Sequence, residues 1–476
     1  MVFNSLNFAV FFALVYVFYV FLERKWQNLL LLVASYVFYS FWDWRFLSLV
    51  LFSTCLNYYA GSRIFEASGE KHRKYLLTAA VVLNLSVLAY FKYANFFLDN
   101  LQNMLWALGW EVDGVTLSVI LPLGISFYTF QAMSYPIDIY RKVIEPTRKF
   151  QDFALFIVFF PQLVAGPIER ARNLLPQIEN DRRICADDIY QGSWLIFWGL
   201  FKKIVIADNL KKFTYAAFTP TPAVSGSMAL LAMYAFAFQV YADFSGYSNM
   251  ARGIARLLGF NIMTNFRTPF FARNLYDFWQ RWHISLTTWV KEYVFYPLAL
   301  VRYRKWSIPA PIVILLTWSI MGLWHGAAWR FVLWGVYHGI LLVLYNKVRP
   351  VLISIGERSK AFKKCGNTMS VLLVFNLFSV GILFFALGNV AQVVFTLKEM
   401  FLRLFSVRYF QPDMWLAVLL LAVPLVVLEW FQHDKNDEFV IFEWSTAVQA
   451  TIYYIILYAT ILLGDFSAQQ YYYFQF

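Results

Sequence analysis

The sequence contains five histidines, and three of them, His283, His325 and His338, fall in or beside apolar segments. An imidazole titrates near neutral pH and can take a proton from a hydroxyl in a reaction step. In a membrane an ionisable side chain among apolar ones is costly, so it is first read as functional. His325 stands in Met321-Gly-Leu-Trp-His-Gly-Ala-Ala-Trp329, with small residues on one side and tryptophan on both. Small residues permit close helix approach or access for a ligand. The plainer alternative is a histidine bonded to a neighbouring backbone carbonyl. His338, in Trp334-Gly-Val-Tyr-His-Gly339, follows 13 residues later. On one continuous helix the two side chains would point about 140° apart, so His338 reads as packing.

His283 belongs to Asn274-Leu-Tyr-Asp-Phe-Trp-Gln-Arg-Trp-His-Ile-Ser285. Leu275, Trp279, Trp282, Leu286, Trp289 and Tyr293 recur at spacings of four and three, which predicts an amphipathic helix. Arg273, Asp277 and Arg281 are four apart and would form an ion ladder on one face of it. Such a helix either anchors at the interface or lines a polar cavity. Two further segments set polar groups among apolar ones. Around Gln162, Pro161, Gly166 and Pro167 break any helix, and such breaks are tolerated at membrane depth where protein or a water-filled cavity surrounds them. Asp243 and Ser245, with Asn249, end an apolar run. Asp243 would orient a histidine, bind a cation, or cap the following helix. Cys55, Cys185 and Cys365 are far apart, with no Cys/His spacing for zinc, so neither a metal site nor a disulfide framework is expected. No Walker loop, HExxH, GxSxG or GxGxxG carries an argument, so ATP-driven transport and hydrolase chemistry lack support.

The elements that must position these groups follow from composition. The chain has 476 residues, which by length alone suggests about three domains. It is 60% hydrophobic and 14% charged, with mean hydropathy +0.55. Soluble domains carry about 25% charged residues. A disordered chain, a collagen, a disulfide scaffold and most cytosolic enzymes are excluded. The expectation is an all-α polytopic membrane protein, a single domain over residues 1–476. Apolar runs recur from residues 3–22 to 448–463. Several fall short of the roughly 20 residues a straight span requires, so about eleven transmembrane helices plus short re-entrant or interfacial helices are expected. The start of the chain lacks the basic region of a cleavable signal, and residues 6–22 read as a retained first span.

The net charge of +12 sits in short clusters such as Arg24-Lys25, Lys71-His72-Arg73-Lys74, Lys202-Lys203 and Lys363-Lys364. That distribution suits loops facing a cytoplasm and an anionic bilayer surface, and argues against a nucleic-acid partner. The positive-inside rule puts the N-terminus outside and, with eleven spans, the C-terminus inside. Aromatic residues reach 21% and read mainly as interfacial belts, the tail at residues 471–476 included. A secondary transporter of polysaccharide or lipid fits the composition, although paired halves with matching broken helices are not evident.

Taken together, several of these segments resemble one family, the membrane-bound O-acyltransferases, in its bacterial alginate O-acetyltransferase branch. The segments are Leu121-Pro-Leu-Gly-Ile-Ser-Phe-Tyr-Thr-Phe-Gln131, Phe160-Pro-Gln-Leu-Val-Ala-Gly-Pro-Ile168, Tyr241-Ala-Asp-Phe-Ser-Gly-Tyr-Ser248, Asp277-Phe-Trp-Gln-Arg-Trp-His-Ile-Ser285, Leu323-Trp-His-Gly326 and Tyr473-Phe-Gln-Phe476. The resemblance implies many helices arranged as a funnel or tunnel in the bacterial inner membrane. It implies transfer of an acyl group, acetyl first of all, from a cytoplasmic thioester toward the outer face. The family's essential histidine maps onto His325 and its second histidine onto His283. Trp324, Asp243, Ser245, Gln280, Arg273, Arg281, Asp277 and Gln162 are the candidates to line the substrate path. Arg273 and Arg281 would attract the phosphates of the donor. The donor implied is acetyl-CoA or an acyl-carrier protein, with no permanently bound cofactor. The expected recipients are a periplasmic partner protein and then a polysaccharide. Alginate acetylation, peptidoglycan O-acetylation and teichoic-acid D-alanylation share the motifs, so the acceptor stays open.

Overall fold

The computed structural model describes residues 1–114, 116–218, 226–303, 306–356, 360–403, 411–467 and 470–472. The motif at Tyr473–Phe476 and the side chains of Lys363, Lys364 and Cys365 lie outside the described residues. The chain is helical almost throughout and forms two compact units. One comprises Met1–Ile196 with Ala251–Met263, the other Phe197–Met250 with Thr264–Phe476.

The first unit begins with α1 (Leu6–Val20), α2 (Arg24–Asp43), α3 (Leu47–Glu66), α4 (Glu70–Leu88) and α5 (Ala94–Ala107). Between α3 and α4, Asn57 and Asn84 exchange side-chain hydrogen bonds of 3.0 Å in both directions. Paired amides of this kind tie helices together where apolar surface alone gives no preference over lipid. Then come α6 (Ile125–Tyr140), α7 (Phe150–Val158) and α8 (Ala171–Glu179). Every residue of α6 from Ile125 to Pro136 is buried. Gly124 enters it at φ +74°, where a Cβ would stand 2.7 Å from the Leu163 carbonyl oxygen. Only glycine suits that position. The chain turns sharply after α7, at the predicted breaks around Pro161 and Pro167.

Two helices contribute residues to both units, α9 (Ala186–Phe201) and α11 (Gly226–Leu257), with α10 (Asp208–Phe218) between them in sequence. The second unit continues with α12 (Leu275–Trp279), α13 (Ile284–Val290), α14 (Tyr296–Ala299), α15 (Ala310–His325) and α16 (Trp329–Gly356). It closes with α17 (Lys360–Ala386), α18 (Val390–Arg403), α19 (Pro412–Lys435) and α20 (Thr446–Leu463). A short antiparallel pairing of Arg302–Tyr303 with Trp306–Ser307 interrupts the helices. The helices α15 and α16 pack closely because glycines face the partner backbone. A Cβ on Gly322 would lie 2.2 Å from the Phe331 oxygen, and one on Gly335 would lie 2.1 Å from the Trp318 oxygen. Small residues are what permit this approach.

Among the described residues six helices are long and apolar enough to cross a bilayer: Glu70–Ala107, Gly226–Leu257, Trp329–Ser354, Gly366–Ala386, Pro412–Lys435 and Thr446–Leu463. Leu6–Val20 and Ala310–His325 are shorter apolar helices. Along α19, Leu416, Leu419, Leu420, Val423 and Val427 are all exposed. Such a stripe suits lipid, not water, and the protein is a multi-pass membrane protein.

Two expectations fail, each for a local reason, and one conditional argument does not apply. The amphipathic helix through His283 is not continuous: α12 stops at Trp279 and α13 starts at Ile284. His283 itself is left-handed, at φ 45° and ψ 52°. The neighbouring segment takes the groups a continued helix would use. Arg267 N donates to the Arg281 carbonyl at 3.0 Å, and Ile284 N donates to the Asn265 carbonyl at 2.9 Å. The 140° angle between His325 and His338 does not apply, because Gly326 adopts an extended conformation and separates α15 from α16. Finally, Lys202 and Lys203 are not a solvated loop cluster. They are 3% and 1% exposed, in a π-helical turn at Lys202–Ala207.

Candidate functional site

Three buried rings of the second unit stand in sequence. The His283 ring centroid is 6.0 Å from that of Trp324, and Trp324 is 4.9 Å from His325. His325 is the last residue of α15. Trp334 of α16 packs on its ring at 5.0 Å and Phe385 of α17 at 5.3 Å, both nearly edge-on. Aromatic rings prefer this arrangement because a positive edge meets a negative face. Both neighbouring helices, α16 and α17, are thus fixed to His325 by ring packing.

His283 is held differently. Its Nδ1 lies 3.1 Å from Asn265 Oδ1, which also accepts from Ser285 Oγ at 3.0 Å and from Ser285 N at 3.3 Å. Asn265 Nδ2 in turn donates to Ser248 Oγ at 3.2 Å. An amide oxygen only accepts, so Nδ1 carries the hydrogen and Nε2 carries the lone pair. Burial pushes the His283 imidazole down to about 3, so the ring is neutral at physiological pH. A neutral ring of this tautomer accepts at Nε2 and cannot donate there. Such a ring can hold a group that donates to Nε2, and it offers no donor there to an oxyanion. A left-handed non-glycine residue costs about 1–3 kcal/mol and tends to persist at sites where the surroundings impose it.

Close by in sequence, the side chains of Gln280, Arg281 and Asp277 line a cavity of about 470 Å³. Its wall also includes Arg267, Thr268 and His433, and the buried side chains of Lys202, Tyr241 and Glu429. Arg281 Nε pairs with Asp277 Oδ1 at 2.6 Å, and its Nη1 donates to Thr268 Oγ1 at 3.2 Å. The ladder expected from Arg273 through Arg281 forms only at its second step. Arg273 precedes the capping residue Asn274 and meets Asp277 through its backbone N–H, at 3.0 Å. Tyr241 donates its hydroxyl hydrogen bond to the Glu429 carboxylate.

Asp243 neither orients a histidine nor caps a helix. It lies inside α11 and accepts from Lys203 Nζ at 2.9 Å and from Tyr472 N at 2.9 Å. Lys203 also donates to Asp208 at 2.7 Å. Burial pushes the Asp208 carboxyl up to about 6, against the pull of Lys203. Ser245 accepts from Lys202 Nζ at 3.0 Å. The cation that Asp243 binds is thus the protein's own lysine. Among the described residues no three His, Cys, Asp or Glu side chains converge on a metal position.

Gln162 lies in the first unit, where it and Gln131 both donate to the Phe156 carbonyl, at 3.0 and 2.5 Å. It serves there to satisfy the backbone at the end of α7. No separate signal in the sequence marks Asn265, Lys202, Glu429 or His433 for the site. The lysine partner of Asp243 is a tertiary contact, made by Lys203 40 residues away.

Residues 72–354, more than half of the chain, match the membrane-bound O-acyltransferase family, and the protein belongs to it. The chain is 41% identical over 326 residues to the probable alginate O-acetylase AlgI of Azotobacter vinelandii, covering 68% of this chain and 64% of that one. The Pseudomonas aeruginosa protein of the same description is 40% identical, over 72% of this chain and 66% of its own. A peptidoglycan O-acetyltransferase of Helicobacter pylori is 34% identical, over 78% of this chain and 73% of its own. The chain spans just under two thirds of the length of these two alginate relatives.

Proposed function

We propose that the protein is an O-acyltransferase of the bacterial inner membrane, with its N-terminus outside. It moves an acetyl group from a cytoplasmic thioester, acetyl-CoA or an acyl carrier, toward an extracytoplasmic polysaccharide such as alginate, through a periplasmic partner protein. The observation that carries the reading is the buried ring series His283–Trp324–His325 in one compact unit that also holds a polar cavity lined by both cationic and acidic side chains.

In this reading His325 is the general base. It takes the proton of the acceptor hydroxyl as the oxygen attacks the thioester carbonyl; the carbon–sulfur bond breaks and His325 returns that proton to the departing thiolate. His283, neutral and fixed by Asn265, orients the donor through an acceptor at Nε2. Arg267, Arg281 and Lys202 are the cations of a cavity wall that also carries Asp277, Glu429, Asp437 and Glu438, and a donor's phosphates would compete with Asp277 for Arg281. The aromatic enclosure of His325 excludes water, which would otherwise hydrolyse the thioester.

A second acceptor reading is favoured by one observation: the peptidoglycan O-acetyltransferase covers more of this chain than the two alginate relatives do. The test is transfer of labelled acetyl from acetyl-CoA in proteoliposomes that contain the partner, with alginate and peptidoglycan offered in parallel. Label is expected on one polymer and is lost in His325→Ala. Normal transfer by that variant overturns the mechanism. A transporter moves unacylated polymer and ignores the substitution.

A further inference from the structure

His338 is the buried histidine that the proposed reaction leaves without a part. It lies one helical turn beyond Trp334 on α16 and is 1% exposed. Three indoles enclose it, with ring centroids at 5.0 Å for Trp279, 5.7 Å for Trp318 and 4.9 Å for Trp334. Neither of its ring nitrogens has a hydrogen-bond partner among the described residues. An unpaired buried polar atom costs about 1–3 kcal/mol, so the imidazole is not placed there to tie one element to another by hydrogen bonding.

Its shape has a use. A Cβ on Gly381 of α17 would stand 2.6 Å from His338 Nε2. Glycine at that position lets α17 approach α16 until it meets a five-membered ring, and a larger ring would overfill the space. One turn along α17 from Gly381, Phe385 packs at 5.3 Å on His325 and at 5.3 Å on Trp334. Trp334 touches both histidines, His325 at 5.0 Å and His338 at 4.9 Å. The contact between His338 and Gly381 therefore sets the position of both rings, Trp334 and Phe385, that pack on His325 from neighbouring helices.

We propose that His338 is a positioning residue for His325, acting through Trp334 on its own helix and through Gly381 and Phe385 on the next. The proposal rests on the reading of His325 as the base. In the proteoliposome assay, His338→Ala and Gly381→Ala each lower kcat by about tenfold or more while the donor KM stays unchanged, because a small displacement of a reacting group costs rate more than affinity. The double variant is no slower than the slower single one, because the methyl added at position 381 occupies space that the imidazole leaves. A loss equal to the product of the two single losses overturns the proposal. So does a normal kcat in both single variants, or a change confined to KM. Gly381→Ala keeps His338 and adds one methyl, so it carries the test where His338→Ala does not yield folded protein. If the wild type transfers no acetyl, or His325→Ala transfers it normally, the acyl-transfer reading falls and this proposal with it. A defect absent only from the His338 and Gly381 variants removes the proposal alone.

Discussion

His283 and His325 are both buried, yet their surroundings differ in kind. Asn265 and the left-handed turn commit one nitrogen of His283 to a hydrogen bond and fix its tautomer. His325 is oriented by edge-on rings from α16 and α17. A histidine with a fixed tautomer is suited to hold a ligand in one pose. A histidine set by packing at the end of a helix is suited to pick up and pass on a proton. In the proposed reaction two identical side chains thus take separate duties from their neighbours.

Substitutions separate those duties by size of effect. His325→Ala abolishes acetyl transfer and leaves a monodisperse membrane protein, checked by labelled transfer and size-exclusion chromatography. His283→Ala loses about 10²–10³-fold in kcat/KM without reaching zero, as expected for a group that positions the donor. Asn265→Ala loses less, up to about tenfold, because it removes one orienting hydrogen bond and leaves the imidazole in place. Arg281→Ala raises the donor KM about tenfold at constant kcat, the result of losing a charge-assisted contact made equally in ground and transition states.

The weakest response concerns pH. The folded-state His283 is held near 3, below its ordinary value of 6.5. A depressed folded value contributes stability that is complete above the unfolded value and is lost as pH falls from 6.5 toward 3. Thermal unfolding midpoints of the wild type should decline across that window. In His283→Gln the decline should be shallower.

The membrane class and the long apolar helices are legible in the sequence, because each rests on local composition. Apolar residues at spacings of three and four also predicted a helix through His283, and there the signal misled. No glycine or proline marks the break; residues 265–267, distant in sequence, take the backbone groups instead. The basic pair Lys202-Lys203 looked like a loop because charge usually faces water. Its burial depends on Asp208, Asp243 and Ser245, two of them about 40 residues along the chain. The polar partners of a buried charge are a tertiary fact, and spacing does not record them. His338 was read as packing from an angle that assumed one helix; the structure also makes it packing, but against glycine and three indoles.

The difference between the two histidines is tested most directly by single-turnover acetyl transfer in His325→Ala and His283→Ala, side by side at saturating donor. A base at His325 and an orienting group at His283 predict no labelled product in the first variant and slow but complete labelling in the second. Equal residual rates, or faster transfer by the His325 variant, would contradict that division of roles.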